Sequence, residues 1–184
     1  MKMFGRTYVI FTIVLAGLVF HTTVGAQQSQ EKASGSKIQV GIFDSRALAM
    51  AYYRSEPFNR RIKEMKAECE KAKAQGDEKR VKELETEGPA LQELAHKQGF
   101  STWPVDNILE KIKEKLPEIA KQANVDIIIS KWTIVYQRSE IEFVDVTDLM
   151  VKLFNPDEET LKLVKEIHKQ NPIPLEKIEG YQCK

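Results

Sequence analysis

The chain has 184 residues, 42% of them hydrophobic, with 28 basic and 27 acidic side chains and a formal net charge of +1. That balance excludes the electrostatic footprint of a nucleic-acid binder and any strong pull towards anionic lipid. Two cysteines, Cys69 and Cys183, are too few for a disulfide scaffold, and the sequence leaves open whether they pair or stay free.

Lys2 and Arg6 form a basic start, Tyr8 to Phe20 is almost purely apolar, and Val24-Gly25-Ala26 supplies the small residues of a signal-peptidase site. The apolar run is shorter than the ~20 residues a spanning helix needs. Residues 1–26 are therefore expected to be a cleaved signal peptide, and the remainder an exported chain of one domain. Gln27 to Ser36 lacks bulky apolar residues and reads as a flexible leader.

A strand is expected at 38–43, with Ile38, Val40 and Ile42 on one face and Gln39, Gly41 and Phe43 on the other. Asp44-Ser45 offers an N-cap for a helix whose Leu48, Ala49, Ala51 and Tyr52 should pack on the sheet. Ser55-Glu56-Pro57 marks a kink or restart. From there Phe58, Ile62, Met65, Cys69 and Ala72 are spaced 4-3-4-3, a single coiled-coil seam. The helix stops at Gln75-Gly76-Asp77, and a second seam returns through Val81, Leu84, Gly88, Leu91 and Ala95. Two such helices predict an antiparallel hairpin (residues 55–103), with a bend expected at Gly88-Pro89.

The run 99–104 (GFSTWP) is a break, with Ser101 or Thr102 as cap and Pro104 in the first turn of the next helix. That helix carries Ile108, Ile112, Leu116 and Ile119 as an apolar stripe, kinked at Pro117, and Asn124 fits its C-cap. Residues 126–130 and 133–137 read as a strand hairpin. Asp145 to Asp148 looks like a capping arrangement before Leu149, and a last helix over 158–170 precedes an extended tail with Pro172 and Pro174.

The opening SKIQVGIFDSRALAMAYYRSEPF (36–58), followed by a charged helical hairpin, resembles the start of the Skp (OmpH-type) periplasmic chaperones. The block DIIISKWTIVYQRSEIEFVDVTDLMVKLFN (126–155) is similar to their closing part. The resemblance spans roughly 37–155, with body 37–54 and 104–155, arm 55–103, and residues 156–184 beyond the usual end. It implies a homotrimer in which each chain gives strands to a shared β body and one arm to a cavity. It further implies a periplasmic, ATP-independent holdase whose partners are unfolded outer-membrane or envelope proteins, with peripheral membrane contact left open. Members of that family carry longer arms and a basic surface. The shorter, neutral arm here supports an alternative, a non-catalytic envelope adaptor that docks one folded partner through its hairpin.

The expected class is thus α+β, a small sheet with a projecting helical arm. Expected client-binding residues are Phe58, Ile62, Met65, Leu84, Leu91 and Trp103; expected residues of the trimer and body core are Ile38, Val40, Ile42, Ile127, Ile129, Ile134 and Tyr136. No catalytic residue, metal ligand or cofactor is expected, because no H-E-x-x-H, G-x-S-x-G, C-x-x-C or Gly-rich phosphate loop occurs. His96 and His168 lie among charged residues and read as solvated. Asp44, Asp145 and Asp148 read as helix caps, and Trp103 and Trp132 as aromatics covering a core edge.

Overall fold

In a computed structural model of the chain, residues Lys37–Ile178 are described. The signal peptide, the leader and Cys183 fall outside them. Strand β1 (Val40–Phe43) leads through Asp44 into α1 (Ser45–Tyr53), because the Asp44 carboxylate accepts from the Arg46 amide and caps the helix. Ser55 then accepts from the Phe58 amide and starts α2 (Glu56–Gln75), with Pro57 in the first turn, where its missing N–H costs nothing. Gly76 takes φ +68°, and Asp77 caps α3 (Glu78–Phe100) by accepting from Arg80. Helix α3 runs without interruption through Pro89, and Ser101 closes it.

The second half of the body holds α4 (Asp106–Ile112), a 3-10 turn over 113–115, and α5 (Leu116–Ala123) with Pro117 in its first turn and Asn124 at φ 53°. Pro104 stays outside α4, whose N-cap is Val105. Strand β2 (Ile127–Ser130), β3 (Phe143–Asp145), α6 (Thr147–Lys152), α7 (Glu158–Lys169) and the short α8 (Leu175–Ile178) follow. The described chain is mostly helical around one small sheet.

That sheet corrects two expectations. Its order is β2-β1-β3 and both pairings are parallel, Val40 opposite Ile127 and Phe143, and Gly41 opposite Ile128 and Val144. The expected strand hairpin does not form. Residues 131–133 make a 3-10 turn, residues 134–137 join no strand, and the third strand begins only at Phe143. Ser130, whose side chain accepts from the Trp132 amide while its carbonyl accepts from Thr133 Oγ1, turns the chain away before a hairpin can close. The C-terminal tail is likewise not wholly extended, since α8 follows Pro174 and Ile178 is buried.

The second correction concerns faces. The core-facing side of the sheet is Gly41, Phe43, Ile128 and Val144, packed with Leu48, Tyr52, Ile108, Ile112, Ile119 and Met150. Ile38, Val40 and Ile42 lie on the opposite side. Gly41 explains the choice: a Cβ there would stand 3.2 Å from Val125 Cγ2 and 3.3 Å from Val146 Cγ1. Only a residue without a side chain lets the neighbouring layer close that tightly. Tyr52, Tyr53, Phe58 and Phe154 form a cluster of edge-on and tilted aromatic rings beside this core, with the contacting centroids 4.8–5.6 Å apart.

Candidate functional site

Three features could carry function: the α2–α3 pair, the second face of the sheet, and a charged cluster at the strands' carboxyl ends. Helix α2 packs chiefly on α3. Ion pairs link Arg61 to Glu87 and Glu68 to Arg80, both at 2.9 Å. Arg80 also reaches Glu83, and its hydrogen bond to Glu68 holds that carboxyl below its ordinary pKa. Ala72 and Leu84 are buried; Ile62, Met65, Cys69, Val81 and Leu91 are half-buried, and the charged remainder is largely exposed.

Of the expected client residues, Leu84 is therefore closed off inside the helix pair. Phe58 sits at its root in the aromatic cluster, and Ile62, Met65 and Leu91 line the seam. Met65 packs its methyl over Gly88, 3.8 Å from where a Cβ would be. Trp103 lies away from the seam. With Phe43, Leu109, Ile128 and Trp132 it lines an open cleft of about 360 Å³ beside β2, an edge strand, and Lys97 lies over its ring at 5.0 Å.

The second face of the sheet is only partly covered. Val40, Ile42, Ile129 and Phe143 are half-buried, whereas Ile127 is 46% and Ile38 64% exposed. Strands of a parallel sheet ordinarily have both faces covered. Ile134 is half-buried, but the next two residues are the barest apolar side chains in the described chain, Val135 at 99% and Tyr136 at 81%. Hence Ile38, Ile127 and Tyr136 are no part of a single chain's core.

At the carboxyl ends of the strands lies a charged cluster built around Asp44. Asp44 is fully buried. Its Oδ2 accepts from Arg46 Nη2 at 3.0 Å and pairs with Lys131 Nζ at 2.7 Å, while Oδ1 accepts from the Arg46 amide, Arg46 Nε and, at 3.1 Å, Trp132 Nε1. Both cations lie over the Trp132 ring, Arg46 4.7 Å and Lys131 4.5 Å from its centre. Burial pushes the Asp44 carboxyl up, yet the hydrogen bonds from Arg46 and Lys131 outweigh it and hold the group below its ordinary pKa.

The Asp44 amide donates to Thr147 Oγ1, tying β1 to α6. His168 is exposed, as expected, and has carboxylate neighbours: Nε2 stands 3.3 Å from Asp145 Oδ2 and Nδ1 4.0 Å from Asp44. Asp145 also accepts from the Thr147 amide, but the N-cap of α6 is Val146, which makes no side-chain cap hydrogen bond, and Asp148 lies within the first turn, so neither aspartate occupies the expected cap position. Both carboxylate oxygens of Asp44 are thus taken, and the group fastens β1, α1 and the 131–133 turn together. The signal that could have exposed it is the polar residue directly after each apolar strand, Asp44 after VGIF and Lys131-Trp132 after IIIS, since parallel strands bring their carboxyl ends to one edge.

His96 is half-buried, its ring 5.9 Å from Phe100, in a cleft of about 470 Å³ with Met50, Tyr53 and Leu163. Among the described residues no group of three or more His, Cys, Asp or Glu side chains is placed to hold a metal, and no helix is long and apolar enough to cross a membrane. No family model, curated protein or solved structure matches the chain.

Proposed function

We propose that this is an exported, non-catalytic holding protein that works as a homo-oligomer, a trimer by the sequence resemblance, and shelters unfolded envelope polypeptides. The observation that carries the reading is the β layer whose second face is only partly covered, with Val40, Ile42, Ile127 and Ile129 on it, Ile38 64% exposed just before β1, and Val135 and Tyr136 bare in the loop after β2. Apolar surface left open in that way marks an association site. Copies that cover one another's second face would bring several α2–α3 arms, each an antiparallel hairpin, around one space.

In this reading the arms are walls rather than greasy fingers, because Leu84 is buried and Ile62, Met65 and Leu91 are half-buried along the helix pair. Client contact falls to weaker sites such as Trp103 and its cleft. Many weak contacts in one enclosure hold a chain that no single contact would retain, and binding the unfolded form keeps its free concentration low. No energy source is needed for that mechanism.

Light scattering of the mature chain at micromolar concentration tests the assembly: a mass of several protomers is expected, and a monomer would remove the enclosure. Adding the protein to a denatured β-barrel client tests the holding; aggregation is expected to be suppressed, and an unchanged rate with no complex would reject it.

One observation favours a second reading. The outer surface of the α2–α3 pair is charged and partly fixed by ion pairs, Arg60–Glu56 at 2.6 Å and Arg61–Glu87 at 2.9 Å among them. A surface of that kind suits docking to one folded partner. Recovery of a single stoichiometric partner from envelope extract would favour the adaptor over the holdase.

A further inference from the structure

Helix α7 is keyed to α1 at both ends by arginines. Arg54 donates to Thr160 Oγ1 at 3.1 Å and to Glu159 at 2.7 Å near its start, and Arg46 Nη2 donates to the carbonyls of Ile167 and Gln170 at 3.0 and 2.8 Å near its end. Between them Val164 packs on Ala47 and Ala51, in an apolar cluster separate from the main core. A guanidinium at a helix C-terminus meets carbonyls that have no partner within the helix, and it complements the dipole there.

The same guanidinium binds Asp44 and lies over Trp132, and the same carboxylate receives the Trp132 indole N–H and Lys131. One buried carboxylate therefore closes two segments at once, the C-terminal helix through Arg46 and the 131–138 loop through Lys131 and Trp132. If α7 lifts, Arg46 loses two carbonyl acceptors in a site it fills almost without solvent, and its stacking on Trp132 has no reason to persist.

We propose that Asp44 is a shared latch coupling the docking of α7 to the conformation of the 131–138 loop. Loosening either segment loosens the other, as linkage between two equilibria requires. Val135 and Tyr136 follow directly in that loop, so the C-terminal helix controls how the barest apolar side chains are presented. The inference concerns the folded chain alone and does not depend on the holding role.

The test uses the full chain with Trp103→Phe, which leaves Trp132 as the remaining indole. Adding Val164→Ala and Ile167→Ala trims the buried side of α7 without touching the latch side chains. Faster amide exchange in α7 together with stronger acrylamide quenching of Trp132 is expected. Faster exchange in α7 with unchanged quenching would overturn the coupling. The converse variant, Trp132→Phe, is expected to speed exchange in α7 while α2 and α3 keep their protection; unchanged α7 exchange overturns the proposal, and this arm decides the matter if the α7 variant unfolds globally.

Discussion

Asp44→Asn isolates the charge of the buried cluster while keeping its shape. The amide oxygen can still accept from the Arg46 amide and from Trp132 Nε1, which stand 3.0 and 3.1 Å from Oδ1, so the cap of α1 survives. The NH2 group would replace Oδ2, against Arg46 Nη2 at 3.0 Å and Lys131 Nζ at 2.7 Å. Donors then face donors, and a buried guanidinium and a largely buried ammonium lose their counter-charge. Removing one partner of a buried ion pair costs about 3–5 kcal/mol. At 2–4 °C per kcal/mol for a chain of this size, the melting temperature is expected to fall by roughly 6–20 °C. Urea unfolding followed by far-ultraviolet circular dichroism gives the free energy directly, and Asp44→Asn/Lys131→Met, which removes one stranded cation, should recover part of the loss. A loss of less than about 1 kcal/mol for Asp44→Asn would refute the account of a carboxylate that balances two cations.

Acid should reach the same interaction from another side. Because the folded-state pKa of Asp44 is depressed, its contribution is present above the unfolded pKa and disappears as pH falls through the folded one, so the stability gap between wild type and Asp44→Asn should narrow below about pH 4; a gap that stays constant in acid denaturation curves would count against it. Gly41→Ala places a methyl 3.2 Å from Val125 and 3.3 Å from the Ile127 carbonyl, and an overpacking loss of about 1–3 kcal/mol is expected in urea titrations. Gly76→Ala meets nothing within 4 Å, so its expected cost of about 1 kcal/mol comes from φ +68° alone, and a neutral result would show that the turn relaxes. Leu84→Ala should cost about 2–5 kcal/mol and raise amide exchange in α2 and α3 before the body, whereas uniform loss of protection would mean that the pair is not a separate unit.

Elements set by neighbours in sequence are legible from the sequence. Asp44 and Asp77 cap the helices that follow them, and Gly76 and Asn124 take left-handed φ at helix ends, as short polar side chains and glycine do at such positions. The 4-3 spacing also named the half-buried line from Ile62 to Leu91, because one face of a helix is fixed by its period. The candidate site was less legible. Arg46 and Lys131 look like ordinary surface cations beside a cap and a tryptophan, and nothing local states that both meet Asp44.

The amino-acid order alone thus determined several helix caps and stops and the stripe each long helix hides, since those depend on hydrogen bonds and contacts within a few residues, but not the start of α4 after Pro104, the break at Lys113–Lys115 or α8. Tertiary structure decided which strands pair, that they run parallel, and which side of the sheet is buried. Ile127, Ile128 and Ile129 are equally apolar on both faces, and residues 133–137 have strand-forming side chains but no strand. A strand needs a partner from elsewhere in the chain, and here Gly41, by admitting Val125 and Val146 at close range, chose both the partner and the face.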